Sequence, residues 1–286
     1  MSISAGRGAA LSEALGYVAA WRGRRVVIKF GGRAMAAGSY GTLLADITLL
    51  RRSGIAPILV HGGGPEITET LERLGLEARF LDGLRVTDRE TMRVVEMVLA
   101  GHVNKRLVGE LQQLGGAAAG LSGKDGGMLR VTQHEKTELG FVGDIARVDT
   151  SILDALIGSE FIPVVASLGV DEQGATYNVN ADTAASALAV AVGAEKLLLL
   201  TDVPGVKGAD GELVSEVTPS EAKELIDTGV VSAGMIPKVD SCLQAIENGV
   251  RSGHIIEASR PHALLSELFT EEGVGTMIRS VEGSSS

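Results

Sequence analysis

The sequence predicts an α/β protein with a mainly parallel central sheet that is covered by helices on both faces. Short apolar segments end in glycine or a polar residue, and most of them are separated by segments whose apolar residues repeat at helical spacing. Strands that alternate with helices favour parallel pairing, because each helix returns the chain to the start of the next strand. Such sheets bind their ligands at the carboxyl ends of the strands.

The individual elements follow from these patterns in chain order. Residues 11–22 predict an amphipathic helix ahead of the first strand, packed either on its own subunit or against another. Alternating residues flank a polar segment in Leu129–Val148, which predicts an antiparallel β-hairpin insertion. We expect the first ten residues and the tail from Glu282 to be frayed. The other predicted elements are strands at Val26–Phe30, Ile58–His61, Ala117–Leu121, Phe161–Ala166, Lys196–Thr201 and His254–Ile256, and helices near Leu43–Leu50, from Pro65, after Asp88, over Ala181–Val192 and over Pro237–Asn248.

Composition limits the class of function. The 286 residues are 45% hydrophobic and 22% charged, which is typical of a folded globular protein. The net charge of −10 argues against nucleic acid or an anionic membrane as a partner. The single cysteine, Cys242, excludes an internal disulfide and is expected to be a packing residue. Without a signal peptide or a run of about 18 apolar residues, the chain is predicted to be soluble and cytoplasmic.

Glycines follow both of the first two core strands. Gly31 and Gly32 follow the first strand, and Gly62–Gly64 follow the second, directly before Pro65. Such turns let backbone N–H groups approach an anion, and a helix that begins at a proline adds its positive dipole end, although tight turns alone would give the same pattern. The spacing matches neither G-x-G-x-x-G nor a P-loop, which disfavours a dinucleotide oxidoreductase and a Walker-type ATPase.

Charged residues stand where an anionic ligand would explain them. Lys29 lies in an otherwise apolar strand, and Lys238 lies near a predicted helix N-terminus. Asn178, Asn180 and Asp182 precede an alanine-rich helix, which needs only one of them as a cap. The sequence has neither a recognisable catalytic triad nor paired histidines for a metal. An anion site of glycine amides, lysines and an aspartate suits phosphoryl transfer.

Six short motifs follow one another along the chain. They are Val27–Gly32 (VIKFGG), Val60–Pro65 (VHGGGP), Gly83–Asp88 (GLRVTD), Asn178–Asp182 (NVNAD), Leu200–Gly205 (LTDVPG) and Gly234–Lys238 (GMIPK). In order and spacing they resemble the amino acid kinase family, in its branch that phosphorylates N-acetyl-L-glutamate, and the likeness covers about residues 11–279. It implies a three-layer α/β/α sandwich, with an extension at 1–22, an N-terminal lobe at 23–170 for the acyl-amino acid, and a C-terminal lobe at 171–286 for ATP with Mg²⁺. The implied reaction phosphorylates the side-chain carboxylate in arginine biosynthesis.

The resemblance also implies the roles of single residues. Lys29 and Lys238 would flank the transferring phosphoryl group, with Asp182 orienting both. The N–H groups of Gly32 and Gly63 would hold phosphoryl oxygens, and Mg²⁺ would be held mainly by ATP rather than by protein ligands. The implied substrate-binding residues are Gly63, Gly64, Arg85, which would pair with the α-carboxylate, and Asn178. The implied ATP-binding residues are Thr201, Asp202, Val203, Gly205, Val206, Gly234 and Met235.

Inhibition by L-arginine and assembly into a homo-oligomer, dimer or hexamer, are further implications. In arginine-sensitive members an N-terminal helix interlaces dimers into a hexamer, and residues 11–22 resemble that helix. Gly16 and Arg33 depart from the family pattern, in the helix and beside the phosphate site. A PII-type signalling protein is a possible partner that no residue here supports. The implied arginine-site residues are Tyr17, Lys196, His262, Glu267 and Gly273.

Two alternatives stay open from the sequence. One is a kinase for a related acyl-amino acid, such as an aminoadipate derivative on a carrier protein. The other is a non-catalytic arginine-sensing subunit that has kept the fold. Arg85 and the Asn178 motif favour a free small substrate, while the presence of both lysines and Asp182 argues against a lost activity.

Overall fold

The computed structural model describes residues 16, 18–32, 35, 41–232, 234–270 and 273–279. Fourteen strands lie in this part of the chain. They are β1 (Arg25–Phe30), β2 (Ala56–His61), β3 (Phe80–Leu81), β4 (Leu84–Arg85), β5 (Ala118–Ser122), β6 (Leu129–Gln133), β7 (Gly143–Val148), β8 (Ile162–Ala166), β9 (Leu168–Val170), β10 (Thr176–Asn178), β11 (Lys196–Thr201), β12 (Glu216–Val217), β13 (Ser252–Glu257) and β14 (Thr276–Arg279).

Helices connect most of the strands. Residues 89–113 form one continuous helical segment, in which a π-helical stretch, Met97–Val103, joins two α-helices. Residues 18–21 are helical and precede β1. The α-helices are α1 (Gly41–Arg52), α2 (Gly64–Arg73), α3 (Arg89–Glu96), α4 (Asn104–Gln113), α5 (Ser151–Gly158), α6 (Ala181–Ala191), α7 (Pro219–Asp227), α8 (Ile236–Glu247) and α9 (Ala263–Phe269).

The central sheet has eight strands in the order β12-β14-β13-β11-β1-β2-β8-β5. Neighbouring strands are parallel except β13 and β14, which are antiparallel. The predicted α/β fold with a mainly parallel sheet is therefore confirmed. Its six predicted strands correspond to β1, β2, β5, β8, β11 and β13, with ends that differ by at most two residues.

Two apolar cores cover the two faces of this sheet. Side chains alternate along a strand, so Val26 and Ile28 of β1 face one core, whereas Val27 faces the other. The first core contains residues of α1, α2 and the long helical segment, and the second contains residues of α6 and α8. By the same alternation Lys29 shares the face of Val27, which is the side on which α6 and α8 pack.

The predicted hairpin insertion forms a separate small sheet. β6 and β7 pair antiparallel, with a bulge between Arg130 and Val131. The full sheet has the order β10-β9-β6-β7. The hairpin is therefore extended by two strands, β9 and β10, which the sequence patterning did not reveal. β9 and β10 have three residues each, which is too short for an alternating pattern to stand out. β3 and β4 form a two-stranded ribbon.

The predicted N-terminal helix is described only in part. Gly16 is helical and exposed, whereas Tyr17 and residues 1–15 lie outside the described residues, as do Arg33 and the tail from residue 280. Cys242 is fully buried in the second core, as expected for a packing residue. No helix among the residues searched is both long and apolar enough to cross a membrane.

Candidate active site

Two lysines meet one aspartate at the carboxyl edge of the sheet. Asp182 lies in the first turn of α6, and its Oδ1 is 2.8 Å from the Lys29 ammonium of β1. Its Oδ2 accepts a hydrogen bond from the Lys238 ammonium of α8 at 2.7 Å. Lys29 and Asp182 are buried, and the Lys238 side chain is 17% exposed. Residues from three elements thus form a Lys–Asp–Lys cluster with a net charge of +1.

Burial and charge have opposite effects on the pKa values in this cluster. Burial would raise the pKa of Asp182, but the Lys29 and Lys238 ammonium groups outweigh it and bring the pKa to about 2. Burial lowers the pKa of Lys29, against the attraction of Asp182, and Lys238 lowers it further. Asp182 is thus ionised, and its charge is what keeps a proton on a buried Lys29.

The two glycine turns pack against each other next to this cluster. A Cβ built on Gly31 would lie 2.9 Å from the Gly62 nitrogen, so the backbones approach more closely than any side chain would permit. A Cβ on Gly63 would meet the Leu99 Cδ2 at 2.8 Å. The N–H of Gly63 has no hydrogen-bond acceptor in the described part of the chain. It is therefore available to an anion at the N-terminus of α2.

A cavity of about 320 Å³ opens beside the lysine–aspartate cluster. It is large enough for a small amino-acid derivative, and both polar and apolar residues line it. Its lining residues include Lys29, Gly32, Gly62, Gly63, Gly64, Ile67, Phe80, Arg85, Leu99, Val142, Asn178 and Asp182. Seven of the eight residues that the sequence implicated in catalysis or substrate binding therefore line this cavity, and the eighth, Lys238, reaches it only through its contact with Asp182.

Arg85 lines this cavity, and one nitrogen of its guanidinium has no hydrogen bond to the described part of the chain. Its Nη2 donates to the Gly64 carbonyl at 2.9 Å and to the Thr68 hydroxyl at 2.8 Å, and Phe80 stacks on it at 4.7 Å. Its Nη1 is buried and has no hydrogen-bond partner among the described residues. A buried donor without an acceptor is costly unless a ligand pairs with it. Arg85 is thus able to pair with an anionic ligand. Asn178 also lines the cavity, and its Nδ2 donates to the hydroxyl of the buried Thr87 at 3.3 Å.

The residues predicted for ATP begin at the end of β11. Thr201 is buried, and its hydroxyl donates to Asp202 at 3.2 Å, while Val203 is exposed. Val206, at the end of this predicted segment, is held by other parts of the protein. Its side chain is buried, its N–H donates to the Thr276 hydroxyl at 2.9 Å, and its carbonyl accepts from Val214 at 2.9 Å. The loop also includes Gly205, and Gly234 and Met235 lead into α8.

Three of the predicted arginine-site residues share a second cavity of about 500 Å³. Lys196, Glu267 and Gly273 line it together with Trp21, whose ring lies 5.2 Å from the Lys196 ammonium. His262 does not line this cavity: it lies at the start of α9 and its Nδ1 pairs with Asp46 at 2.7 Å. The assignment of His262 to an arginine site stays a prediction, and Tyr17 lies outside the described residues.

Glu267 is already engaged within the protein. It is buried and accepts hydrogen bonds from the Val274 N–H at 2.7 Å and the Gly275 N–H at 3.1 Å. Burial would raise the pKa of Glu267, but the His254 imidazole and these two amides keep it below its usual value. A still larger cavity, of about 780 Å³ on the four-stranded sheet, contains none of the predicted site residues.

Four residues beside the first cavity were missed by sequence reasoning. Thr68 and Phe80 hold Arg85, and His61 and Asn104 contact each other beneath the glycine turn. A buried asparagine in a helix and a histidine that ends an apolar strand are polar signals that could have drawn attention. Nothing in their spacing indicates that they touch, because 43 residues separate them.

Comparison with known proteins agrees with this geometry. The model of the amino acid kinase family matches residues 24–257. The sequence is 50% identical to an acetylglutamate kinase from Nostoc sp., over 94% of this chain and 92% of that one. It is 46% identical to an acetylglutamate kinase from Pelotomaculum thermopropionicum, over 95% and 97% of the two chains.

Solved structures show the same fold. N-acetylglutamate synthase from Neisseria gonorrhoeae, in complex with coenzyme A and N-acetyl-glutamate, matches with a TM-score of 0.86 and 29% identity. The match covers 96% of this chain but 64% of the synthase, so this chain spans less than two thirds of that protein. Carbamate kinase from Giardia matches at 16% identity and a TM-score of 0.69, over 91% and 99% of the two chains, which supports the fold alone.

The chain belongs to the amino acid kinase family, and it is a phosphotransferase. Within that family its curated relatives at about half identity are acetylglutamate kinases. Sequence identity at this level to acetylglutamate kinases, over nearly the whole chain, is consistent with ATP-dependent phosphorylation of N-acetylglutamate in arginine biosynthesis.

Proposed function

We propose that the chain transfers the γ-phosphoryl group of ATP to the side-chain carboxylate of N-acetyl-L-glutamate. The observation that carries this proposal is that one cavity is lined by Lys29 and Asp182 of the Lys29–Asp182–Lys238 cluster and by Arg85, whose Nη1 has no hydrogen-bond partner among the described residues. That cavity thus offers cations at two places, which suits a substrate with two carboxylates. One carboxylate would pair with Arg85 and the other would face the lysines.

The chemistry needs charge neutralisation more than covalent help. A carboxylate oxygen attacks the γ-phosphorus, the bond from phosphorus to the β-phosphate oxygen breaks, and ADP leaves with its electron pair. Both reactants are anions, so Lys29 and Lys238 would lower their repulsion and stabilise charge in the transition state. The Gly32 and Gly63 N–H groups would hold the phosphoryl oxygens. Asp182 would fix both ammonium groups and maintain the proton on Lys29.

We assign Mg²⁺ to the phosphates of the bound nucleotide. The site offers glycine amides and a lysine, which match phosphate oxygens. Bound Mg²⁺ would neutralise charge on the ATP phosphates. We assign the nucleotide to the segment from Thr201 to Val206, with Gly234 and Met235, in the lobe at 171–286. The acyl-amino acid belongs to the lobe at 23–170, and the extension at 1–22 precedes both. A biosynthetic enzyme that consumes ATP suits the cytoplasm.

A substrate panel tests the assignment. The purified chain with Mg-ATP is incubated with N-acetylglutamate, N-acetylaspartate, N-acetyl-aminoadipate and an aminoadipate on a carrier protein, and acyl phosphate is trapped as hydroxamate. We expect turnover with N-acetylglutamate at least tenfold above the others. Preference for the carrier-bound substrate would instead identify the related kinase. Binding of arginine without any turnover would identify a sensing subunit.

Feedback inhibition by L-arginine is supported by the second cavity. Glu267 and Lys196 line it, and the Glu267 carboxylate would accept from the guanidinium in addition to its bonds with His254, Val274 and Gly275. A structure of the Neisseria synthase in complex with coenzyme A and L-arginine matches this chain at 26% identity and a TM-score of 0.80. Arginine titration of the kinase rate tests this, and mass measurement with and without arginine would distinguish a dimer from a hexamer.

A further inference from the structure

His61 contacts the glycine turn from below. It ends β2, is fully buried, and its Nδ1 lies 2.9 Å from the carbonyl oxygen of Gly62. Its Nε2 lies 3.0 Å from the Nδ2 of Asn104, the first residue of α4. Both imidazole nitrogens are therefore paired, one with the turn and one with a helix.

The surroundings of Asn104 determine which nitrogen of His61 carries the proton. The Asn104 Nδ2 also lies 3.1 Å from the Leu121 carbonyl and 2.9 Å from the Val164 carbonyl, and both of these can only accept. The amide nitrogen must therefore point to this side, which makes the His61 Nε2 an acceptor. The proton then sits on Nδ1 and is donated to the Gly62 carbonyl. Burial lowers the pKa of His61 to about 4, so this neutral form persists at neutral pH.

The Gly62 carbonyl and the Gly63 N–H belong to one peptide unit. The described chain has no cis peptide bond, so these two groups point in opposite directions from the same plane. A carbonyl held towards His61 therefore aims the Gly63 N–H away from it, and Gly62 and Gly63 both line the substrate cavity. The Gly62 N–H donates to the Phe30 carbonyl at 3.3 Å, which restrains the other side of the turn.

The π-helical stretch and the residue after it contact this turn and His61. The Asn104 N–H bonds to the Leu99 carbonyl five residues earlier, which is the wider π-type turn. Leu99 and Val103 pack where a Gly63 Cβ would lie, at 2.8 and 3.2 Å, and Asn104 follows directly. The same helical segment therefore packs closely against Gly63, through Leu99 and Val103, and contacts His61 through Asn104.

We propose that His61 and Asn104 are positioning residues that aim the Gly63 N–H at the phosphoryl group. This inference rests on the proposed function, because it assigns that amide to the transition state of the transfer. Neither side chain touches substrate. They act by fixing the orientation of the Gly62–Gly63 peptide, whose N–H is assigned to the phosphoryl group in the transition state. Their replacement should therefore lower kcat and leave the affinity for N-acetylglutamate nearly unchanged.

Two substitutions of His61 separate positioning from packing. In His61→Asn the side-chain amide can place an N–H where Nδ1 stood, whereas in His61→Gln the amide reaches the place of Nε2 and leaves the Gly62 carbonyl unpaired. We expect kcat to fall roughly 100-fold in H61Q and less than about tenfold in H61N, since loss of one such donor typically costs 10²–10³ in rate. KM for N-acetylglutamate should change by less than about threefold in both. Equal losses in the two variants, or a kcat that simply follows their melting temperatures, would overturn the proposal.

Asn104→Asp tests the same pair from the helix side. A carboxylate there can only accept, so it would draw the His61 proton to Nε2 and leave Nδ1 facing the Gly62 carbonyl without a proton. Long-range ¹H–¹⁵N NMR of the imidazole should show the Nδ1–H form in the native enzyme and the Nε2–H form in N104D, with kcat lowered roughly 100-fold. Asn248→Asp is the matched control: Asn248 is exposed beyond α8, its Nδ2 donates to the Gln244 carbonyl at 2.8 Å, and its replacement should leave kcat unchanged.

The outcomes keep the two proposals apart. A native enzyme with the His61 proton on Nε2, or an N104D variant with native kcat, would overturn the positioning role while leaving the kinase assignment intact. A native chain without any kinase activity would refute the proposed function. The His61 tautomer would then still decide whether the pair fixes the Gly62–Gly63 peptide.

Discussion

Removing the charge of Asp182 is the most informative single perturbation of the active site. Asp182→Asn keeps the shape of the side chain but leaves the ammonium groups of Lys29 and Lys238, now 2.8 and 2.7 Å from that side chain, without their shared anion. The side chains of Lys29 and Asp182 are only 9% and 8% exposed, so water cannot replace the lost charge. Both stability and catalysis should respond.

The lowered pKa of Asp182 gives the order of magnitude of one contribution to the loss of stability. A carboxyl whose pKa falls from 3.8 to about 2 on folding stabilises the native state at pH 7 by about 2 kcal/mol. This stabilisation is complete above the ordinary pKa of 3.8 and is lost as the pH falls through about 2. D182N also leaves two like charges close together, so we expect a total loss of roughly 3–5 kcal/mol at pH 7, typical of a broken buried ion pair.

The same substitution should make the remaining activity sensitive to pH. Burial already lowers the pKa of Lys29, and without the attraction of Asp182 the pKa falls further. A protonated Lys29 is then lost as the pH rises, so kcat of D182N should decline with increasing pH where native kcat is still level. Urea unfolding followed by circular dichroism measures the stability, and hydroxamate formation across pH 6–9 measures the rate.

Asp227→Asn is a matched control, because Asp227 is an exposed carboxylate at the end of α7. It should change stability by less than about 0.5 kcal/mol, as is usual for surface substitutions. The reasoning is refuted if D182N unfolds with a free energy within 1 kcal/mol of the native value, or if its pH–rate profile coincides with the native one.

Four further predictions concern single side chains. Lys238→Ala should lower kcat roughly 1000-fold in the hydroxamate assay with little loss of structure by circular dichroism, since it removes a cation from the transferring phosphoryl group; a rate near the native one would remove this role. Arg85→Lys should raise KM for N-acetylglutamate at least about tenfold and change kcat less, because a lysine cannot pair with a carboxylate through two parallel bonds; an unchanged KM would place the α-carboxylate elsewhere. Glu267→Gln should abolish inhibition in an arginine titration and preserve the uninhibited rate; retained inhibition would contradict the assignment of the second cavity. Burial raises the pKa of the Cys242 thiol, so a thiol reagent should label it only on unfolding, and rapid labelling of the native chain would show that it is accessible.

The sequence predicted the centre of the fold well because its signals there are local. β1 and β2 are apolar segments that end in glycines, and the alternation along β1 also places Lys29 on the side of α6 and α8. The anion-binding chemistry of the site could be predicted from the sequence for a similar reason. A lysine in a buried strand conflicts with its surroundings, and Asp182 resolves the conflict.

Other parts of the site depend on contacts that no local pattern encodes. His61 and Asn104 are brought together by a π-type turn within the helical segment 89–113, and such a turn leaves no mark on the apolar spacing. The prediction placed Val206 in the ATP-binding loop, but its hydrogen bonds to Thr276 and Val214 could not be foreseen, because both partners are distant or follow an irregular loop. His262 was grouped with Glu267 by motif alone, whereas tertiary packing pairs it with Asp46.

Direct observation of the product tests the central claim. The native chain is mixed with Mg-ATP and with N-acetylglutamate carrying ¹⁸O in its side-chain carboxylate, and the reaction is followed by ³¹P NMR. Direct transfer predicts an acyl-phosphate resonance that grows as ATP is consumed, shifted by one ¹⁸O in the bridging position. Loss of ATP to ADP and unlabelled inorganic phosphate, with no acyl-phosphate resonance, would contradict the account.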